Sequence, residues 1–248
     1  MLLSNPADFF AVLRVTLFAG GLAQTQVDGI NAILEALPDG TDPRWAAYAL
    51  ATAHHETGRT MEPIAEWGRG QGKPYGVPCG PYRRCYYGRG FVQLTWLSNY
   101  QRAEQAIPGS DLVRLPDNAL LPAIAAQVLV RGMSVGWFSK RRDGSPVKLA
   151  DYFPPDAPAA HDWIGAREIV NGKDHAAEIA AYALHFYDAL LKGAPVAPAP
   201  VPAPTASPAP VPAPAPAQGP APPAAPAESL LGEAVEAVER LFEKGKPA

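Results

Sequence analysis

"DPRWAAYALATAHHETG", residues 42–58, decides how this chain folds. Asp42 is placed to cap a helix, and Pro43 falls at the first helical position, where a missing N–H costs nothing. Small or apolar side chains then recur at Ala46, Ala47, Leu50, Ala51 and Ala53. Such residues on nearly every side let neighbouring elements approach closely, so the pattern predicts a helix through the middle of the core. Glu56 falls in its last turn, just before Gly58. Burial there disfavours a charged carboxyl, and the negative pole of the helix dipole pushes the same way. The expectation is a protonated Glu56, the state a general acid needs at neutral pH. The bland alternative is a surface glutamate on a frayed helix end.

Helices flank this segment. Asn5-Pro6 opens "ADFFAVLRVTLF" (7–18), which is expected to run to Gly20-Gly21. "TQVDGINAILEAL" (25–37) puts Val27, Ile30, Ile33, Leu34 and Leu37 on one side before the Pro38-Asp39-Gly40 turn. The class is therefore mainly α. Downstream, Gly58 and Pro63 break the helix, so Glu66 belongs to a separate backbone element and can face Glu56 across a groove. Carboxyl groups roughly 6.5 to 9.5 Å apart leave room for a water and suit an inverting glycosidase. Glu62, just before Pro63, competes with Glu66, or is a loop residue paired with an arginine. Residues 91–95 alternate as a short strand or hairpin with Gln93 and Thr95 on one side. An amide and a hydroxyl spaced by two suit sugar hydroxyls, N-acetyl groups or a nucleophilic water. Tyr86, Tyr87, Trp67 and Trp96 are candidate platforms for pyranose rings, or packed aromatics.

Composition divides the chain. From 193 to 227 there is no charged residue, and 14 of the 29 prolines lie there among alanine and valine. Such a tract favours extended polyproline II, has no large side chains for a core, and reads as a disordered linker. At about 3.1 Å per residue it spans on the order of 100 Å. Residues 1–192 are the expected folded unit, and 228–248 a short amphipathic helix with Leu231, Val235, Val238 and Phe242 on one face. That helix is acidic and marginal alone in water. Self-association, docking on an unknown protein or fraying are its alternatives.

Net charge is −3, of which the tail supplies −2 through five Glu against Arg240, Lys244 and Lys246. A near-neutral folded unit gives no support to nucleic-acid binding. Between Trp67 and Ala103, however, Arg69, Lys73, Arg83, Arg84, Arg89 and Arg102 stand without one Asp or Glu. Either this is a solvated basic region or it meets a polymer bearing carboxylates, with Arg89 between two glycines among the candidate contacts. No stretch reaches the length of a membrane span and "MLLSNPADFF" lacks a basic n-region. The expected place is the cytoplasm until release, with action at the cell wall. Cys79 and Cys85 are too few for a zinc site; a loop disulfide and plain thiols both remain open. His54 and His55 project about 100° apart on a helix and no His-Glu-x-x-His spacing exists, which disfavours a zinc peptidase. Neither metal nor cofactor is expected.

"HHETG" (54–58), a later glutamate and "YYGRGFVQLTWLSNY" (86–100) resemble the catalytic region of glycoside hydrolase family 19, the plant-type chitinases, and especially their relatives among phage endolysins. "AREIVNGKDHAAEIAAYALHFYDALL" (166–191) resembles that family's closing Asn-Gly turn and last helix. The resemblance implies a lysozyme-like α+β domain with a small β element. It implies Glu56 as general acid and Glu66 as general base, Thr95 holding the attacking water, and Gln93, Asn99 and Asn171 lining the groove beside Tyr87, Arg89 and Trp96. The loop between the glutamates is short, as in the endolysin branch. The basic residue of the family's last helix has no counterpart near Ile179 to Leu184. Peptidoglycan is thus the expected substrate, and a chitin-like polysaccharide the alternative. A lytic transglycosylase would manage with one glutamate, and a binding module without activity would be expected to lack one of the two.

Overall fold

The computed structural model describes Met1 and residues 3–193. The linker expected over 193–227, beyond its first residue, and the helix expected over 228–248 lie outside the described residues. Six helices dominate: α1 (Pro6–Thr16), α2 (Gln24–Ala36), α3 (Pro43–Glu56), α4 (Leu97–Ala106), α5 (Pro122–Val135) and α6 (Ala176–Gly193). A two-stranded antiparallel sheet, β1 (Ile64–Ala65) with β2 (Arg89–Gly90), is the small β element. The mainly α class with a minor sheet is as expected.

Helix α3 is the axle. The Asp42 side chain accepts from the Arg44 N–H at 2.8 Å, Pro43 opens the helix, and residues from Ala46 to His54 are all buried. Its small side chains let α6 lie along it, and α1 packs on α6 in turn. The backbone N–H groups of Ser4 and Asn5 both donate to the Gly193 carbonyl at 3.0 Å, tying the start of α1 to the end of α6. Phe9, Leu13, Ile30, Ile33, Leu50 and Phe186 are fully buried around this axis. Ile30, Ile33 and Leu34 of α2 and Leu37 just past its end enter the core as the spacing predicts, while Val27 is half-buried. Gly29 admits the loop that follows α3: a Cβ there would lie 1.7 Å from the Met61 carbonyl oxygen.

Two boundaries differ from expectation. Helix α1 stops at Thr16, not at Gly20, because the chain curls back to bury Phe18 against the His54 ring. Of the short strand or hairpin expected over 91–95, only the hairpin forms, as a tight turn closed by the antiparallel Arg89–Leu94 bridge. Arg89 and Leu94 exchange N–H···O bonds of 3.2 and 2.8 Å, and Gln93 between them has φ +52°. Phe91, Val92 and Leu94 are all buried, so burial of three apolar groups overrides the alternation that suggested a strand. No described helix is long and apolar enough to cross a membrane.

Candidate active site

Glu66 sits where the little sheet ends. Its N–H donates to the Gly88 carbonyl at 2.8 Å, one step past the Ala65–Arg89 pair. The carboxylate is then held by main chain on both sides: Oε1 accepts from Gly70 N–H at 2.8 Å and Oε2 from Gly88 N–H at 2.9 Å. Gln93 arrives from the tight turn, with Nε2 donating to the Ile64 carbonyl at 3.0 Å and the Gly90 carbonyl at 3.3 Å. Its Oε1 turns towards Glu66, since a Cβ on Gly88 would lie 2.8 Å from both Gln93 Oε1 and Glu66 Oε2. The missing side chain of Gly88 leaves room for both oxygens. Tyr75 stands close by, its hydroxyl pKa raised by burial and then by the charge of Glu66. Its ring meets Trp96 edge-on at 5.3 Å, and Trp96 is 47% exposed. Trp67, next to Glu66, is 99% exposed.

Glu56 ends α3, half-buried, and its Oε1 accepts from Arg167 Nη1 at 2.8 Å. Arg167 is buried in the turn Gly165–Ile169 and also donates from Nε to the Asp174 carbonyl at 2.9 Å. The Asn171 N–H donates in turn to the Arg167 carbonyl at 3.1 Å, so the Asn171-Gly172 turn braces this arginine. Burial and the helix dipole are therefore not the only fields acting on Glu56, as the sequence suggested; a guanidinium opposes them. Beside it the His55 and His175 rings lie 4.9 Å apart, and burial lowers the His55 pKa. Glu178 joins His175 at 3.1 Å and accepts from the Tyr182 hydroxyl, whose hydrogen bond chiefly lowers the Glu178 pKa. His54 points away into Phe18, Tyr182 and Phe186. Burial pushes its pKa down from 6.5 to about 4. The two histidines thus serve different surroundings, as their spacing predicts.

The remaining candidates divide. Thr95 is half-buried, and its hydroxyl makes no hydrogen bond among the described residues. Asn99 donates from Nδ2 to the Thr95 carbonyl at 2.9 Å, closing the first turn of α4. Asn171 is exposed on its turn, and Glu62 is exposed on the loop before β1. Tyr86 is a core residue, fully buried with its hydroxyl on the Val113 carbonyl at 2.8 Å, and is no sugar platform. Arg89 needs the same correction. It is only 4% exposed, paired with Asp117 at 2.7 Å, bonded to the Tyr100 hydroxyl at 3.0 Å, and stacked 3.5 Å over the Tyr87 ring. A guanidinium so engaged braces the loop, and Tyr87 is one of its supports. Cys79 and Cys85 are free thiols.

Sequence reasoning passed over Arg167 and Gly88. An arginine between the buried positions Ala166 and Ile169 was a signal, because a buried cation needs a partner. Gly88 left no such trace, since the crowding it relieves comes from Glu66 and Gln93 elsewhere in the chain. Among the described residues no three His, Cys, Asp or Glu side chains gather as a metal site.

No protein-family model matches the sequence, and no curated protein matches it. Among solved structures the chain is similar to a bacterial family 19 chitinase at 24% identity and a TM-score of 0.47, over 76% of this chain and 95% of that one. It is also similar to chitinase C from Streptomyces griseus HUT6037 at 21% identity and a TM-score of 0.48, over 75% of this chain and 76% of that one.

Proposed function

We propose that this chain is a glycoside hydrolase that cuts the N-acetylated glycan strands of peptidoglycan, with Glu56 as acid and Glu66 as base. The observation that carries the reading is the seat of Glu66. Two backbone N–H groups fix its carboxylate, the Gln93 amide oxygen borders the same glycine, and an exposed tryptophan, Trp67, follows it in the chain. A carboxylate fixed in this way is oriented to take a proton from a water, and a flat apolar ring next to it in the chain suits a pyranose face.

Proton flow follows from the contacts. Glu56 keeps Oε1 on Arg167 Nη1 while Oε2 carries the hydrogen, which passes to the glycosidic oxygen as that bond lengthens. Glu66 removes a proton from water attacking the opposite face, with the Thr95 hydroxyl and the Gln93 amide at hand to orient that water. Inversion at the anomeric carbon follows. The reading assigns catalysis to the folded unit that ends with α6, acting on the cell wall after release from the cytoplasm. Chitin is the alternative polymer, since Trp67 and Trp96 would serve either sugar chain.

The test is digestion of purified peptidoglycan and colloidal chitin by wild type, Glu56→Gln, Glu66→Gln and Glu62→Gln, with sugar ends identified by mass spectrometry. Hydrolysed reducing ends are expected from peptidoglycan, with losses on the order of 10²- to 10⁴-fold for each of the first two variants and little change for the third. Undiminished hydrolysis by Glu56→Gln refutes the acid, and a larger loss in Glu62→Gln than in Glu66→Gln refutes the base. Anhydro-sugar ends would mark a transglycosylase.

A further inference from the structure

The segment 67–88, between Glu66 and β2, carries Arg69, Lys73, Arg83 and Arg84 and no carboxylate. All four are exposed, and none forms an ion pair among the described residues. Arg89 and Arg114, by contrast, are answered, Arg89 by Asp117 at 2.7 Å and Arg114 by Asp111. Arg14, Arg102, Arg131, Lys140, Arg142 and Lys148 are also without an ion pair among the described residues, so this one excursion holds four of the ten unpaired cations, and it holds them with no carboxylate between.

That excursion is built, not loose. Cys79 and Arg84 exchange backbone bonds of 2.9 and 3.1 Å, and the Arg84 Nε donates to the Arg114 carbonyl at 3.2 Å. Gly70 and Gly76 cross so closely that a Cβ on Gly76 would lie 1.9 Å from the Gly70 oxygen. Arg84, Arg89, Arg114 and Asp117 line a hollow of about 320 Å³. The same excursion presents Trp67 and Tyr82, 99% and 50% exposed. Its two ends, Gly70 and Gly88, are the groups that grip Glu66. Glu66 and the segment that carries these cations are thus one hydrogen-bonded unit.

Neutral N-acetylglucosamine offers them no counter-charge. Peptidoglycan does, because its peptide stems end in and carry carboxylates. Resting on the hydrolase reading above, we propose that the face formed by residues 67–88 binds the carboxylates of the peptide stems and so selects peptide-bearing strands over bare glycan.

Retention of the full chain, carrying Glu66→Gln to keep the polymer whole, is to be compared on teichoic-acid-free peptidoglycan and on colloidal chitin, a bare N-acetylated glycan without carboxylates. An exposed charge contact is worth roughly a factor of 1.4 to 5, so two of them are worth roughly 2- to 25-fold. Retention is expected to be stronger on the peptide-bearing polymer by at least that factor. Arg83→Gln/Arg84→Gln is expected to remove roughly 2- to 25-fold of it, with the thermal melt unchanged. Salt at roughly 0.5 M should erase the difference without any substitution, which keeps the test valid if the double variant misfolds. Equal retention on the two polymers at low salt, or a preference that survives both salt and substitution, overturns the inference. Hydrolysis by wild type is scored separately. Cutting with equal retention sinks the binding face alone, and selective retention without cutting sinks the hydrolase reading alone.

Discussion

Alanine at position 88 is the sharpest probe of the site. Gly88 needs no left-handed conformation, so the backbone itself accepts a side chain; what an added methyl meets is Glu66 Oε2 and Gln93 Oε1, each at 2.8 Å. Ordinary contact begins at 3.4 Å, so each oxygen must retreat by about 0.6 Å, and Oε2 is drawn off its 2.9 Å bond to the Gly88 N–H. Both groups are tips of flexible side chains and can move. The stability cost should therefore stay near the lower end of the roughly 1 to 3 kcal/mol typical of overpacking. Catalysis is less forgiving, because a misplacement of about 1 Å costs on the order of 10²-fold. The expected result is a fall of roughly 10- to 100-fold in the initial rate of peptidoglycan clearing, with a urea midpoint close to wild type. Gly21→Ala, where an added Cβ meets nothing within 4 Å, is the control and should change neither. A fully active Gly88→Ala protein, or a rate loss no larger than its unfolded fraction, would show that the seat of Glu66 does not matter.

Removing the guanidinium with Arg167→Met takes away its hydrogen bonds to Glu56 Oε1 and to the Asp174 carbonyl, and urea denaturation should register a loss of about 1 to 3 kcal/mol. His54 is neutral when folded, its pKa lowered chiefly by burial from 6.5 to about 4, so the unfolded chain takes up the proton first. Stability should hold above pH 6.5 and decline as pH falls towards 4, by up to about 3 kcal/mol, and His54→Leu should flatten that part of the denaturation profile. Leu50→Ala, at a fully buried position on α3, should cost about 2 to 5 kcal/mol by calorimetry or urea titration.

Helices α1, α2 and α3 were legible because capping and periodicity are local. Asn5-Pro6 and Asp42-Pro43 mark starts whatever the rest of the chain does, and Ile30, Ile33 and Leu34 share a face by spacing alone. Residues 91–95, expected as a strand or hairpin, were only half legible for the opposite reason. Alternation suggested a strand, but Phe91, Val92 and Leu94 all found burial, and a tight turn at Gln93 satisfied them at once. Arg89 was misjudged likewise: its neighbours in sequence are glycines, while Asp117 and Tyr100, which hold it, come from later elements.

The sequence by itself determined the helical class, the position of Glu56 at the end of the central helix and of Glu66 on a separate element, and the run of cations without carboxylates. Tertiary structure alone decided which of those cations stay unanswered, that Arg167 stands against Glu56, and that Gly88 and Gly70 hold Glu66 by their backbone N–H groups. The division follows from range. Propensity and charge density act between residues a turn apart, whereas a buried guanidinium or a carboxylate is oriented by whichever donors folding brings within 3 Å, 111 residues away in the case of Glu56 and Arg167.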